Sequence, residues 1–232
     1  MPWLEPGLFV GALVPLAAIL VRAWRGELGA NPIAQALNQL GLVALVFLVA
    51  ALACTPLKTV FGWTWPIRLR RMLGLFGFFY ALLHVSTYTA LDQVLDWRAI
   101  WDDVTKRTFI FVGFAAFVLL APLAATSTSG ALERLGYRRW KRLHRLAYVA
   151  PVLGVIHFTW RVKKDVREPV AYALVLGVLL LVRLGTRLCS GPSLYRARPH
   201  RRGGRSLRAE VPPPRALRSS GRSDPSRSPC SL

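Results

Sequence analysis

Acidic residues are scarce in this sequence: 11 Asp and Glu stand against 31 Lys and Arg, leaving a net charge of +20 over 232 residues. An excess of that size fits many nucleic-acid binders, but here the basic residues sit between long apolar runs and in the C-terminal stretch, so no nucleic-acid partner is implied. Cysteine is rarer still. Cys54, Cys189 and Cys230 are far apart and form no C-x-x-C pair, which leaves a zinc site or a disulfide framework without a signature. There is no G-x-G-x-x-G, no P-loop and no H-E-x-x-H, and Ser127 and Ser129 lack a buried base, so nucleotide binding and hydrolysis have none either. No Lys or Arg precedes the first apolar stretch, residues 8–21, and no small-residue cleavage site follows it. That stretch is expected to be a membrane span and not a secretory signal.

What the sequence has in abundance is apolar side chain. Hydrophobic residues make up 53% of the chain and mean hydropathy is +0.38, above what a water-soluble domain carries. The apolar segments are residues 7–21, 40–53, 72–91, 108–125, 146–160 and 170–188, which predicts an all-α, polytopic bundle with six transmembrane helices. The segments near 72–91 and 108–125 approach the about 20 residues needed to cross a bilayer core, whereas 146–160 is short and needs His144 and Arg145 at the interface to reach across. Breakers and aromatics fall between the spans, at Asn31-Pro32, Thr55-Pro56, Trp63, Trp65-Pro66, Trp97, Trp101, Trp140 and Trp160, where membrane–water interfaces should lie. The acidic residues Asp92, Asp96, Asp102 and Asp103 read as a solvated loop on the outer side.

Basic residues in the short loops are nearly balanced between the two sides. Lys58, Arg68, Arg70, Arg71 and the group from Arg134 to Arg145 share one side; Arg22, Arg25, Arg98, Lys106, Arg107, Arg161, Lys163, Lys164 and Arg167 share the other. The Arg-rich segment 190–232 decides the matter and places both termini in the cytoplasm. That segment is rich in Pro, Ser, Gly and Arg, cannot bury a core, and is expected to be a disordered tail that reinforces topology or meets anionic lipid headgroups.

Histidine carries the candidate chemistry. Of four in the chain, His84, His144 and His157 lie in or at the mouth of a span, where an ionisable group is costly unless it has a function and a partner. Counting from Met72, His84 lies about 18 Å along its span, and counting from His144, His157 lies about 19–20 Å along its own, at 1.5 Å per residue. Two imidazoles at one depth on different helices can hold a porphyrin iron from opposite faces, giving a low-spin b-type haem suited to electron transfer. On an ideal helix His144 and His157 point about 140° apart, so a second haem stacked on the same face is not supported, although Pro151 and Gly154 can rephase the helix between them. Arg70, Arg71, Arg142 and Arg145 crowd the cytoplasmic mouth of the two histidine-bearing spans. Fixed positive charge there suits a flavin phosphate, a haem propionate or a reduced quinone oxygen, or simply anchors the loops.

The stretches Thr55-Pro56-Leu57, Arg70-Arg71-Met72-Leu73-Gly74-Leu75, Phe79-Tyr80-Ala81-Leu82-Leu83-His84, Lys106-Arg107, Pro122-Leu123-Ala124-Ala125-Thr126-Ser127 and Leu135-Gly136 through Trp140-Lys141-Arg142-Leu143-His144-Arg145-Leu146-Ala147-Tyr148 to His157 resemble the MsrQ (YedZ) family. The likeness runs over roughly residues 5–188 and belongs to the ferric-reductase-like transmembrane superfamily. It implies a haem-binding domain over residues 1–189, with 190–232 as the tail. It further implies an electron-transfer subunit of the bacterial inner membrane that draws on the quinone pool or a cytoplasmic flavin reductase. The acceptor it implies is a periplasmic molybdopterin-containing methionine sulfoxide reductase that repairs oxidised proteins. By the same likeness His84 and His157 are the haem ligands, His144 is a third functional histidine, Arg70 and Arg71 belong to a flavin or quinone site, and FMN joins haem b as a cofactor. Arg70 and Arg71 stand where the wider superfamily often has a second histidine, which points to one haem. Two rivals remain: a stand-alone cytochrome b-type ferric or quinone-linked reductase, and a haem-free transporter whose histidines relay protons.

Overall fold

The computed structural model describes residues 3–162 and 165–189. The predicted tail, residues 190–232, and the loop cations Lys163 and Lys164 lie outside the described residues.

Among the described residues the chain is helical throughout and has no strand. Helix α1 (Leu4–Trp24) is followed by α2 (Pro32–Phe61), α3 (Trp65–Thr87), α4 (Trp97–Lys106), α5 (Thr108–Ala125), α6 (Ser129–Leu135), α7 (Tyr137–Leu143), α8 (Leu146–Arg161) and α9 (Arg167–Cys189). Local chemistry sets the boundaries. Asn31 caps α2 by accepting from the Ala34 N–H at 3.0 Å, and Pro32 at the first helical position has no N–H to leave unpaired. The helix therefore begins well before the predicted segment 40–53, and it stops at Gly62, whose φ of 72° only glycine adopts without strain.

Among the described residues five helices are long and apolar enough to cross a membrane: Leu4–Trp24, Pro32–Phe61, Trp65–Asp92, Thr108–Ala125 and Arg167–Thr186. The remaining predicted segment coincides with α8, which at 16 residues is about 24 Å long and falls short of a bilayer core by itself. The outer surface is apolar, as lipid solvation demands: Leu174 and Leu181 on α9 are 65% and 67% exposed.

Two helix pairs frame the molecule: α2 packs along α3, and α5 along α8. Tyr80, fully buried on α3, ties α1 to this frame. Its hydroxyl donates to the Ala12 carbonyl at 2.6 Å and accepts from the Leu16 N–H at 3.1 Å. It thus bridges two groups of α1 that an unbroken helix would pair directly, next to the break in the hydrogen-bond ladder at Pro15. Phe47 of α2 stacks on the Tyr80 ring at 5.6 Å. Tyr80→Phe is expected to cost about 1–2 kcal/mol of stability, the scale of a lost buried hydrogen bond. Thermal unfolding in detergent checks this, and the cavity described below should be unaffected.

Asp92, Asp96 and Asp102 are exposed, as expected of a solvated stretch, but the segment is ordered and Asp103 is largely covered. After α3 the chain makes a single π-turn over Tyr88–Asp92 and reverses through Val94 and Leu95, both at positive φ. Asp96 then caps α4 by accepting from the N–H groups of Arg98 and Ala99. Asp103 accepts from the Tyr88 hydroxyl at 3.0 Å and from Gln93 Nε2 at 3.2 Å, and pairs with Arg107 at 3.1 Å. Asp103 thereby ties α4 to the turn after α3 and to Arg107 at the start of α5.

Candidate functional site

A cavity of about 350 Å³ opens between α2, α3, α5 and α8, within the range of sites that take a small molecule or cofactor. His84 of α3 and His157 of α8 line it, with ring centroids 6.2 Å apart. The two depths counted along separate helices do meet.

Each imidazole is held in the same way. His84 Nδ1 lies 2.9 Å from the Leu37 carbonyl of α2, and His157 Nδ1 lies 2.6 Å from the Phe109 carbonyl of α5. A carbonyl can only accept, so each Nδ1 carries the proton and each Nε2 keeps its lone pair. No hydrogen bond among the described residues uses either Nε2. Fixing the tautomer through the far nitrogen is how proteins commonly prepare a metal-binding imidazole.

A glycine stands one helical turn after each of these carbonyls. A Cβ at Gly41 would come within 3.2 Å of the His84 ring, and one at Gly113 within 2.6 Å of His157 Nδ1. Each glycine-bearing helix therefore has a slot that admits an imidazole against its backbone. The two units repeat: 47 residues separate Leu37 from His84, and 48 separate Phe109 from His157. Gly41, Gly113 and the two carbonyls escape a reading of side-chain chemistry, and the matching separation is the signal that could have found them.

The rings fit a haem. An imidazole nitrogen about 2 Å from a first-row metal puts the ring centre about 3 Å from it, so two rings flanking one ion stand about 6 Å apart. Among the described residues no three His, Cys, Asp or Glu side chains converge, so a bare ion lacks a protein ligand set. A porphyrin, which brings four nitrogens of its own, would need only two further ligands, and His84 and His157 could supply them.

His144 stands apart from this cavity. The helix it was expected to begin starts two residues later, at Leu146, and His144 instead caps α7, so the ideal-helix angle between His144 and His157 does not apply. Its ring stacks on Trp140 at 3.9 Å, and Trp140 in turn donates to the Thr126 carbonyl at 3.0 Å. Burial, together with the nearby positive charge of Arg70, lowers the pKa of the His144 imidazole, against a contact with the Trp140 carbonyl that raises it. Arg70 thus stands near enough to His144 for its charge to disfavour the imidazolium, whereas Arg71, next in the chain, is exposed. Arg70 and His144 lie within electrostatic reach of each other, and neither lines the cavity of His84 and His157.

Residues 37–155 match the family model of ferric reductase-like transmembrane components. The match includes Leu37, Gly41, His84, Phe109 and Gly113 and ends two residues before His157. The protein-methionine-sulfoxide reductase heme-binding subunit MsrQ of Rhodospirillum rubrum is 54% identical over 76% of this chain and 85% of its own length. The proteins of the same description from Deinococcus radiodurans and Herminiimonas arsenicoxydans are 49% and 48% identical, over 79% and 76% of this chain and 91% and 82% of theirs. The chain belongs to the MsrQ family. In this family member the matched region holds both glycine slots and the first histidine, and the second histidine follows on the same helix, α8, that the match enters.

Proposed function

We propose that this chain is a membrane electron carrier that holds one haem b between His84 and His157. The observation that carries the reading is the pair of imidazoles on different helices, 6.2 Å apart, each with Nδ1 tied to a main-chain carbonyl and Nε2 left over. Haem bound by two imidazoles supplies one-electron redox chemistry without an open coordination position. The protein contributes position: the carbonyls of Leu37 and Phe109 orient the ligands, and the apolar walls from Ala44 to Leu48 and from Ala116 to Leu120 exclude water.

The relatives' name associates them with methionine sulfoxide reduction. The reading for this chain follows: it passes electrons to a periplasmic molybdopterin-containing reductase that repairs oxidised methionine, and receives them from the quinone pool or a cytoplasmic flavin reductase. It is placed in the bacterial inner membrane with both termini cytoplasmic, α8 completing a sixth crossing, and residues 190–232 forming a tail beyond the haem domain of residues 1–189. In this orientation the histidines lie near the outer ends of α3 and α8, on the acceptor's side. Arg70, Arg71 and His144 lie at the inner end, where the proposed quinone or FMN would meet fixed positive charge. Arg70 precedes His84 by about 21 Å of helix.

Detergent-purified protein is expected to contain one haem per chain, and its reduced form is expected to be reoxidised by the purified periplasmic reductase. A colourless preparation from haem-replete cells would refute the reading. Within the same preparation His144→Ala should retain its haem, since His144 does not line the cavity; loss of haem in that variant would move the site to the inner end.

A further inference from the structure

The cavity is polar at one end only. Apart from the two histidines, its polar lining consists of Asn38, Tyr88, Thr89, Asp92, Arg107 and Arg161, all on the α4 side of the imidazoles. The lining on the other side, from Leu45 and Leu48 of α2 across Phe117 and Leu120 of α5 to Ala150 and Gly154 of α8, is apolar. A cavity of this kind orients an amphiphile. It accepts an apolar body at one end and an anionic edge at the other.

Arg161 is the cation placed to meet that edge. It follows His157 by one turn on α8, so it shares the imidazole's face and stands about 6 Å further along the axis. It is half-buried and makes no ion pair among the described residues. Arg107, across the same end, pairs with Asp103 through Nε, which leaves the two Nη groups of its guanidinium for another acceptor. Asp92, the carboxylate in this lining, accepts from Gln93 Nε2 at 3.2 Å.

We infer that Arg161, assisted by Arg107, receives the propionate carboxylates of the haem, so that the macrocycle seats with its anionic edge toward α4. This rests on the haem reading above and adds an orientation to it. It also moves the propionates away from the group of Arg70, Arg71, Arg142 and Arg145, which the sequence offers as another place for them. An arginine fork pairs with a carboxylate through two hydrogen bonds, and inside a cavity such a contact is far less screened than at a surface.

The test compares protohaem IX with its dimethyl ester, in which both carboxylates are blocked, by titrating each into the full-length apoprotein in detergent. The unaltered protein should bind the diacid at least tenfold more tightly than the ester, and Arg161→Gln should bring that ratio close to one while keeping the spectrum of a bis-imidazole haem. The midpoint potential of the diacid complex should also fall in Arg161→Gln, because removal of a nearby cation disfavours the added electron. Arg107→Gln, at a side chain 58% exposed, should reduce the ratio by a smaller factor, and it keeps the proposal testable if the Arg161 variant does not fold. An unaltered ratio in both variants, or no preference in the parent protein, would overturn the assignment while leaving the histidine ligation intact. Failure of the parent to bind either compound would overturn the haem reading and this orientation with it.

Discussion

His84→Ala and His157→Ala are each expected to abolish stable haem binding, giving purified variants that are colourless while remaining helical. The expectation is for complete loss because, on the proposed reading, each imidazole would supply one of two protein ligands, and among the described residues no third histidine lines the cavity to replace it. The helices survive because neither ring is a main packing element: the buried clusters centre on Tyr80 and Phe76, on Leu45, Leu52, Val155 and Leu176, and on Leu120, Leu123 and Ala150. Absorbance of the dithionite-reduced protein, with circular dichroism of the same sample, measures both quantities. Full haem content in both alanine variants would end the ligand assignment.

The second large effect comes from a substitution that removes nothing. Gly113→Ala places a Cβ 2.6 Å from His157 Nδ1 and 2.8 Å from Cε1, closer than real contacts allow. The imidazole has to move, which breaks its bond to the Phe109 carbonyl and misdirects Nε2. Loss of a ligand-orienting contact of this sort lowers metal affinity by about 10–100-fold, whereas alanine in place of glycine within a helix favours the helix by about 1 kcal/mol. Haem affinity should therefore collapse in a protein whose fold is no weaker. Gly41→Ala, with its nearest approach at 3.2 Å, should lose less, and Gly74→Ala, with nothing within 4 Å, should lose nothing. Haem titration of the three apoproteins ranks them, and equal affinities would show that the slots do not position the rings.

Much of this arrangement could be read from the residues alone. The helical membrane character followed from apolar runs, and the meeting of His84 with His157 followed from counting rise per residue along two segments. Neither argument needed tertiary contacts, because a bilayer confines spanning helices to a common axis and so turns position in the sequence into depth. The sequence was silent wherever the partner is main chain. Every residue has a carbonyl, and nothing in the letters at Leu37 or Phe109 marks theirs as acceptors. The glycines were hidden for the opposite reason: the chain has 18 of them, and which ones face a ring depends on helix rotation. Asp103 was taken for a solvated charge because its donors, Tyr88, Gln93 and Arg107, come together only after the chain reverses at Val94 and Leu95. Arg161 was counted as a topology residue, since a charge at a helix end looks the same whether it faces headgroups or a cavity.

Because the imidazoles lean on carbonyl oxygens, the orientation of the ligands is encoded in helix backbone and not in the identity of residues 37 and 109. Those two positions can exchange one apolar side chain for another and still present the same acceptor to the ring. A proline at residue 41 or 113, by contrast, would distort the turn that aims that oxygen and turn the ring away without touching the histidine itself.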